Sequence, residues 1–139
     1  MADIQQLMLD PDKQDKGVWV KYDLDTELLI GNTNSQEFRK ACSDLLEPYR
    51  QKIRTKGIEF TERVEIIKPA IAKHLLKGWK NLTENGKQLS FSPKEALRIF
   101  ELLPDMPIFV LGSADEKEWF RKEFQKASGK NSAIVSGGS

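Results

Sequence analysis

Few residues in this chain have the types and spacing that catalysis or metal binding requires. His74 is the sole histidine and Cys42 the sole cysteine. A zinc site or an acid–base pair needs convergent ligands or partners, and a lone histidine beside the apolar stripe of a helix has none of its kind to join. A cysteine nucleophile needs a thiol pKa lowered by a base or a helix start. Cys42 falls on an apolar stripe instead, so packing is its expected role. Asp115, Glu116 and Glu118 could approach a cation, but they lack the alternating oxygen ligands and central glycine of a calcium loop. They are better placed to complement the positive end of a helix. Gly57, Gly78, Gly86 and Gly112 are scattered, and no Gly-Lys-Ser or Gly-Lys-Thr occurs to form a phosphate cradle. The residues therefore point to a protein that is not an enzyme and carries no cofactor or metal.

Contact chemistry is better represented. Trp19, Trp79 and Trp119 each fall at an edge of an expected element, and tryptophan combines large apolar area with one hydrogen-bond donor, the combination enriched at interfaces. The same residues serve equally well as core. Met106 to Leu111 is apolar at nearly every position around a helix, which demands burial against the domain itself or a neighbour. Trp19, Trp79, Met106, Ile108, Phe109 and Trp119 are the candidate protein-contact residues.

The elements that must position them read as follows. Residues 1–16 form a polar, acidic arm around Leu7, Met8 and Leu9, with Pro11 breaking any early helix. Val18, Val20 and Tyr22 alternate with Trp19 and Lys21, the period of a half-buried strand. Thr26, Leu28 and Ile30 supply its partner across Asp23-Leu24-Asp25, giving a hairpin that must rest on a helical body. Everything after Gly31 reads helical. Asn34 is a plausible N-cap with Glu37 reaching back, and Phe38, Cys42, Leu45, Tyr49 and Ile53 form one stripe, interrupted by Pro48 and ended near Gly57. A second helix from Thr61 places Val64, Ile67, Ile71, Leu75 and Trp79 on one face. Pro69 lies opposite that stripe, where water can satisfy the carbonyl of Glu65, so a bend convex to solvent is expected. Asn85-Gly86 marks a turn. Ser92-Pro93-Lys94-Glu95 opens a third helix with a reciprocal capping box, burying Ala96, Leu97, Phe100 and Leu103. Asp105-Met106-Pro107 caps and starts a fourth. A last helix from Asp115 carries Trp119, Phe120, Phe124 and Ala127. The expected fold is mainly α: a compact helical domain of about five helices with a short N-terminal β-hairpin, spanning residues 17–127, followed by a flexible tail at 128–139.

At 139 residues the chain fits one domain. Its 22 Lys and Arg against 21 Asp and Glu leave a net charge of +1. With neither a basic excess nor a basic stripe, a nucleic-acid partner is disfavoured. The apolar runs are too short to span a membrane, and the start of the chain lacks the basic and apolar pattern of a secretion signal. A soluble, cytosolic protein is expected.

A family resemblance supplies more. Gly17-Val18-Trp19-Val20-Lys21-Tyr22, Asn34, Phe38-Arg39-Lys40, Trp79-Lys80-Asn81-Leu82, Glu84-Asn85-Gly86-Lys87, Phe91-Ser92-Pro93-Lys94-Glu95-Ala96-Leu97, Leu103-Pro104-Asp105-Met106 and Glu118-Trp119-Phe120 follow one another in the chain. In that order they resemble the tail assembly chaperones of long-tailed bacteriophages and prophages, over roughly residues 15–124. Pro69 departs from the family's pattern and leaves the outline of the second helix open. The resemblance implies a chaperone that binds the tape-measure protein and keeps it soluble until tail-tube protein polymerises around it. It implies self-association into a spiral or ring, absence from the mature virion, and residence in the bacterial host cytoplasm. It also implies a frameshifted long form, and Gly129-Lys130-Asn131 can be encoded by a slippery heptamer. The competing reading is a minor tail or head–tail component retained in the virion.

Overall fold

The hairpin implied by the alternation in Gly17 to Ile30 is present. The computed structural model of the protein describes residues 3–121. In it β1 (Val18–Asp23) pairs antiparallel with β2 (Thr26–Ile30) through a turn at Leu24-Asp25, with Leu24 at a φ of 47°. Val20, Leu28 and Ile30 point into the core, while Trp19 opposes Leu29 on the other face. Asn81 fastens the turn: its side-chain amide donates to the carbonyl of Asp25 at 2.9 Å, and its carbonyl accepts from the Thr26 hydroxyl at 2.8 Å.

The body is not mainly α. The described residues are 60% helix and 18% strand, and they form a mixed α/β fold with two antiparallel sheets: three strands in the order β1-β2-β3 and a small ribbon, β4-β5. The expectation that everything after Gly31 is helical fails at β3 (Leu76–Lys80), which pairs with β2. The reason is a bulge. Ile30 pairs with Leu76 and Leu29 with Gly78, so Lys77 is the extra residue. A regular strand would send Leu76 and Trp79 to opposite faces, but the bulge restores both to the core side. Apolar spacing of three and four residues across a bulged strand imitates a helix.

Two short helices precede the hairpin. Asp3 caps α1 (Ile4–Leu7) through a capping box with Gln6. Asp10 caps α2 (Pro11–Lys16), where Pro11 takes the first helical position rather than breaking the segment. The arm is tied to the 3-10 turn at Lys117–Phe120: Asp10 donates its amide to the carbonyl of Phe120 at 2.7 Å, and Leu9 bridges Arg121.

Helix α3 (Gln36–Leu46) is capped by Ser35, not Asn34, with the Ser35 hydroxyl accepting from the Phe38 amide at 3.2 Å. Asn34 instead gives its amide to the side chain of Asn32. Pro48 ends α3 in a 3-10 turn at Glu47–Tyr49, and α4 (Arg50–Lys56) continues until Gly57 at a φ of 77°. No residue of α4 is buried. Helix α5 (Phe60–Ala70) runs through Pro69, which faces outward as its position opposite the stripe requires. The next five residues, Ile71–Leu75, form a π-helical turn that brings Ile71, Ala72 and Leu75 into the core before the chain becomes extended. Trp79 is thus a strand residue, not the end of a helix.

Asn85-Gly86, both at positive φ, close the β4 (Thr83–Glu84) and β5 (Lys87–Gln88) ribbon, as a two-residue hairpin turn demands. Ser92 caps α6 (Pro93–Leu102), accepting from the Glu95 amide at 3.0 Å. The carboxylate of Glu95 pairs with Arg98 at 2.5 Å. Ala96, Ile99 and Phe100 are the buried residues of α6, whereas Leu103 is 36% exposed. Helix α7 (Asp105–Ala114) begins without a side-chain cap, and among the described residues a 3-10 turn, Lys117–Phe120, follows it in place of the expected helix from Asp115. The proposed positions of Phe124 and Ala127, the 128–139 tail and Gly129-Lys130-Asn131 lie outside the described residues. No helix among the described residues is long and apolar enough to cross a membrane.

Candidate functional site

The six candidate contact residues do not converge. Met106 is fully buried and Trp79 nearly so. Trp79 donates its indole N–H to the carbonyl of Leu89 at 2.8 Å and meets Phe91 edge-on at 5.0 Å, which fastens β3 to the segment after the ribbon. Trp119 is half-buried against the core. Trp19 stands on the outer sheet face, where the row Trp19, Leu29 and Gly78 crosses all three strands. Lys80 lies 4.1 Å from its ring centroid, a cation–π contact across the sheet.

Ile108 and Phe109 do share a surface, at the corner where α6 passes into α7. Phe109 meets Tyr22 edge-on at 5.1 Å, and the Tyr22 hydroxyl donates to Asp105 at 2.6 Å. Burial, followed by that hydrogen bond to a carboxylate, raises the Tyr22 pKa well above its ordinary value. The phenol therefore stays protonated and holds β1 to the start of α7. Around this bolt the apolar side chains are open: Leu102 is 57% exposed, Leu103 36% and Ile108 37%. Leu103 is expected from the sequence on the buried stripe of α6, which its 36% exposure corrects, and Leu102 is not among the residues singled out there. Leu103 stands just past the last residue of α6, as its C-cap, where helical periodicity no longer dictates which way a side chain faces.

A second surface lies on the α3–α4 arm. Ser43, Leu46, Arg50 and Ile53 line an open cleft of about 220 Å³ beside the break at Pro48. Helix α4 places Arg50, Lys52, Arg54 and Lys56 in seven residues with no acid among them. These cations alternate with Gln51, Ile53 and Thr55 around the helix, a local cluster of positive charge on a chain of near-neutral composition. Arg50 pairs with Glu47 at 2.6 Å and Lys52 with Glu62 at 2.7 Å. Among the described residues Arg54 and Lys56 form no ion pair.

The residues with chemical potential lie apart from both surfaces. His74 and Lys77 share an open polar cleft of about 280 Å³ with Glu37, Ser35 and Gln14. Burial, then Lys73 and Lys77, lowers the His74 pKa. Glu37 is lowered by its own backbone amide and by the Ser35 hydroxyl, so its carboxylate is engaged at the start of α3. Burial pushes the Cys42 thiol up to about 11, the reverse of what a nucleophile requires. Among the described residues no group of acids, histidines or cysteines is arranged to hold a metal ion. Lys68, buried between α5 and α6, reaches Glu65 at 2.5 Å and Glu101 at 2.6 Å. Burial by itself would lower its pKa, but the two carboxylates outweigh that and hold it above the ordinary value.

No curated protein and no solved structure matches the chain. A family match does exist, to the family described as YdaY prophage protein, over residues 33–131. That span begins just before α3 and takes in both surfaces and β3, leaving out the β1–β2 hairpin with Trp19. Covering well over half of the chain, it makes this a phage or prophage protein, and the chain belongs to the YdaY prophage protein family.

Proposed function

We propose that the protein is a tail assembly chaperone. It binds the phage tape-measure protein, keeps it soluble in the host cytoplasm while tail-tube protein assembles around it, associates with itself, and leaves before the virion is complete. It acts by contact and makes no bonds. The observation that carries this reading is the open apolar corner of Leu102, Leu103 and Ile108, set on a domain whose net charge is only +1. The prophage family and the ordered motifs shared with tail assembly chaperones support it.

The physical logic is that a long amphipathic rod exposing an apolar stripe aggregates in water. Many weak apolar contacts, repeated along the rod by an assembled chaperone, suppress aggregation by avidity while each remains releasable. Co-expression with the large coiled-coil-rich protein encoded beside it tests the assignment. The client is expected to become soluble and to co-purify. Persistent insolubility without a complex refutes the reading, and abundant copies in purified virions favour a structural tail component.

A further inference from the structure

Two segments of the chain have complementary chemistry and do not meet within one molecule. The first is the arm around α1. Ile4, Leu7 and Met8 are 70%, 48% and 39% exposed, and no residue of α1 is buried. Ile4 and Leu7, three residues apart, lie along one side of this short helix, and Met8 follows as its extended C-cap. Asp3 and Asp10 flank them, with Asp12 and Asp15 beyond. The second is the cleft on the α3–α4 arm, where Leu46 and Ile53 provide an apolar floor and Arg50 its rim. Arg54 and Lys56 follow in the last turn of the same helix and form no ion pair among the described residues.

We propose that the α1 arm of one copy docks in the α3–α4 cleft of a second copy. Ile4 and Leu7 would enter between Leu46 and Ile53, and the flanking aspartates would face Arg50, Arg54 and Lys56. This occupant is favoured because both halves lie on the same chain and carry opposite charge around apolar centres, so attraction steers the encounter and apolar burial holds it. The two patches differ, so the contact is head-to-tail. Each copy keeps one free arm and one free cleft, and such contacts propagate into a ring or a spiral according to the rotation between neighbours. An arm this short covers little area, so each junction is weak and assembly depends on concentration.

This inference rests on the self-association part of the proposed function and not on the client, so the test uses the pure full chain. Sedimentation across a concentration range should show the wild type forming open-ended oligomers. Ile4→Asp with Leu7→Asp removes the arm's apolar side, and Arg50→Glu with Arg54→Glu reverses the rim. Either pair should weaken association by about tenfold or more. Mixed in equal amounts, the two variants retain one good arm and one good cleft between them. They should form a dimer and nothing larger, which also shows that both are folded. A wild type monomeric at every concentration, a variant that assembles like the wild type, or a silent mixture overturns the proposal. A cleft variant that still self-assembles but no longer solubilises the client would assign the cleft to the client and overturn it as well. Failure of client binding with assembly intact would refute the chaperone reading alone.

Discussion

Helix α4 and the π-helical turn Ile71–Leu75 are short helical segments of one chain with opposite fates. The turn buries Ile71, Ala72 and Leu75 and turns Lys73 and His74 outward. Helix α4 buries nothing, offers Ile53 at a cleft, and surrounds it with cations. The difference separates a body held by packing from an arm available for contacts. Substitutions in the body should change stability, and substitutions in the arm should change association while stability stays the same.

The largest effect should come from the body. Phe100 is among the largest fully buried side chains, and Phe100→Ala removes its transfer energy and leaves a cavity, at a cost of about 3–5 kcal/mol. Urea denaturation measures it, and a loss below about 1 kcal/mol would mean that α6 is not part of a packed core.

Next comes the buried knot at Asn32. Its amide donates to the carbonyl of Ala114 at 2.9 Å, and its oxygen accepts from Gln14 at 2.9 Å and from the Asn34 amide at 3.1 Å. Asn32→Leu leaves these partners without it and should cost about 1–3 kcal/mol. It should also loosen α2 from α7, seen as faster amide exchange at both.

The arm gives the contrasting result. Arg54 is exposed and forms no ion pair among the described residues, so Arg54→Glu should leave the unfolding free energy within about 0.5 kcal/mol of the wild type. A destabilisation comparable to that of Asn32→Leu would erase the distinction between arm and body.

The smallest effect is a pH slope. Burial and the neighbouring lysines lower the His74 pKa in the folded chain. The unfolded chain binds the proton more readily, so the contribution is complete above the unfolded value of about 6.5 and is lost as pH falls through the lowered folded value. His74→Gln should flatten the decline in stability between about pH 7 and pH 5 relative to the wild type. Equal slopes would show that His74 carries no such linkage.

The hairpin was legible because Val18, Val20 and Tyr22 alternate cleanly, and the start of α6 because Ser92-Pro93 combines a cap with a proline that tolerates the first turn. The break at Pro48 and the turn at Asn85-Gly86 were legible for equally local reasons. The capping of α3 was read one residue early, since Asn34 and Ser35 both cap well and only the position of Asn32 against Ala114 chooses between them. Leu103 matched the α6 stripe but falls where the helix has already ended. The contact surfaces were only partly visible: Ile108 and Phe109 were singled out, but their neighbours Leu102 and Leu103 were not.

By itself the sequence determined the local punctuation and the order of motifs that resembles a phage family. These depend on residue type and near-neighbour spacing, which are fully present in one dimension. Tertiary structure alone decided that Leu76–Lys80 is a strand, because the energy of joining β2 and absorbing Lys77 as a bulge comes from a partner 46 residues earlier in the chain, Ile30, opposite Leu76. It also decided which apolar residues remain open. Exposure of Leu102, Leu103 and Ile108, and the half-burial of Ile53 among its cations, depend on which faces the assembled body covers, and periodicity carries no record of that.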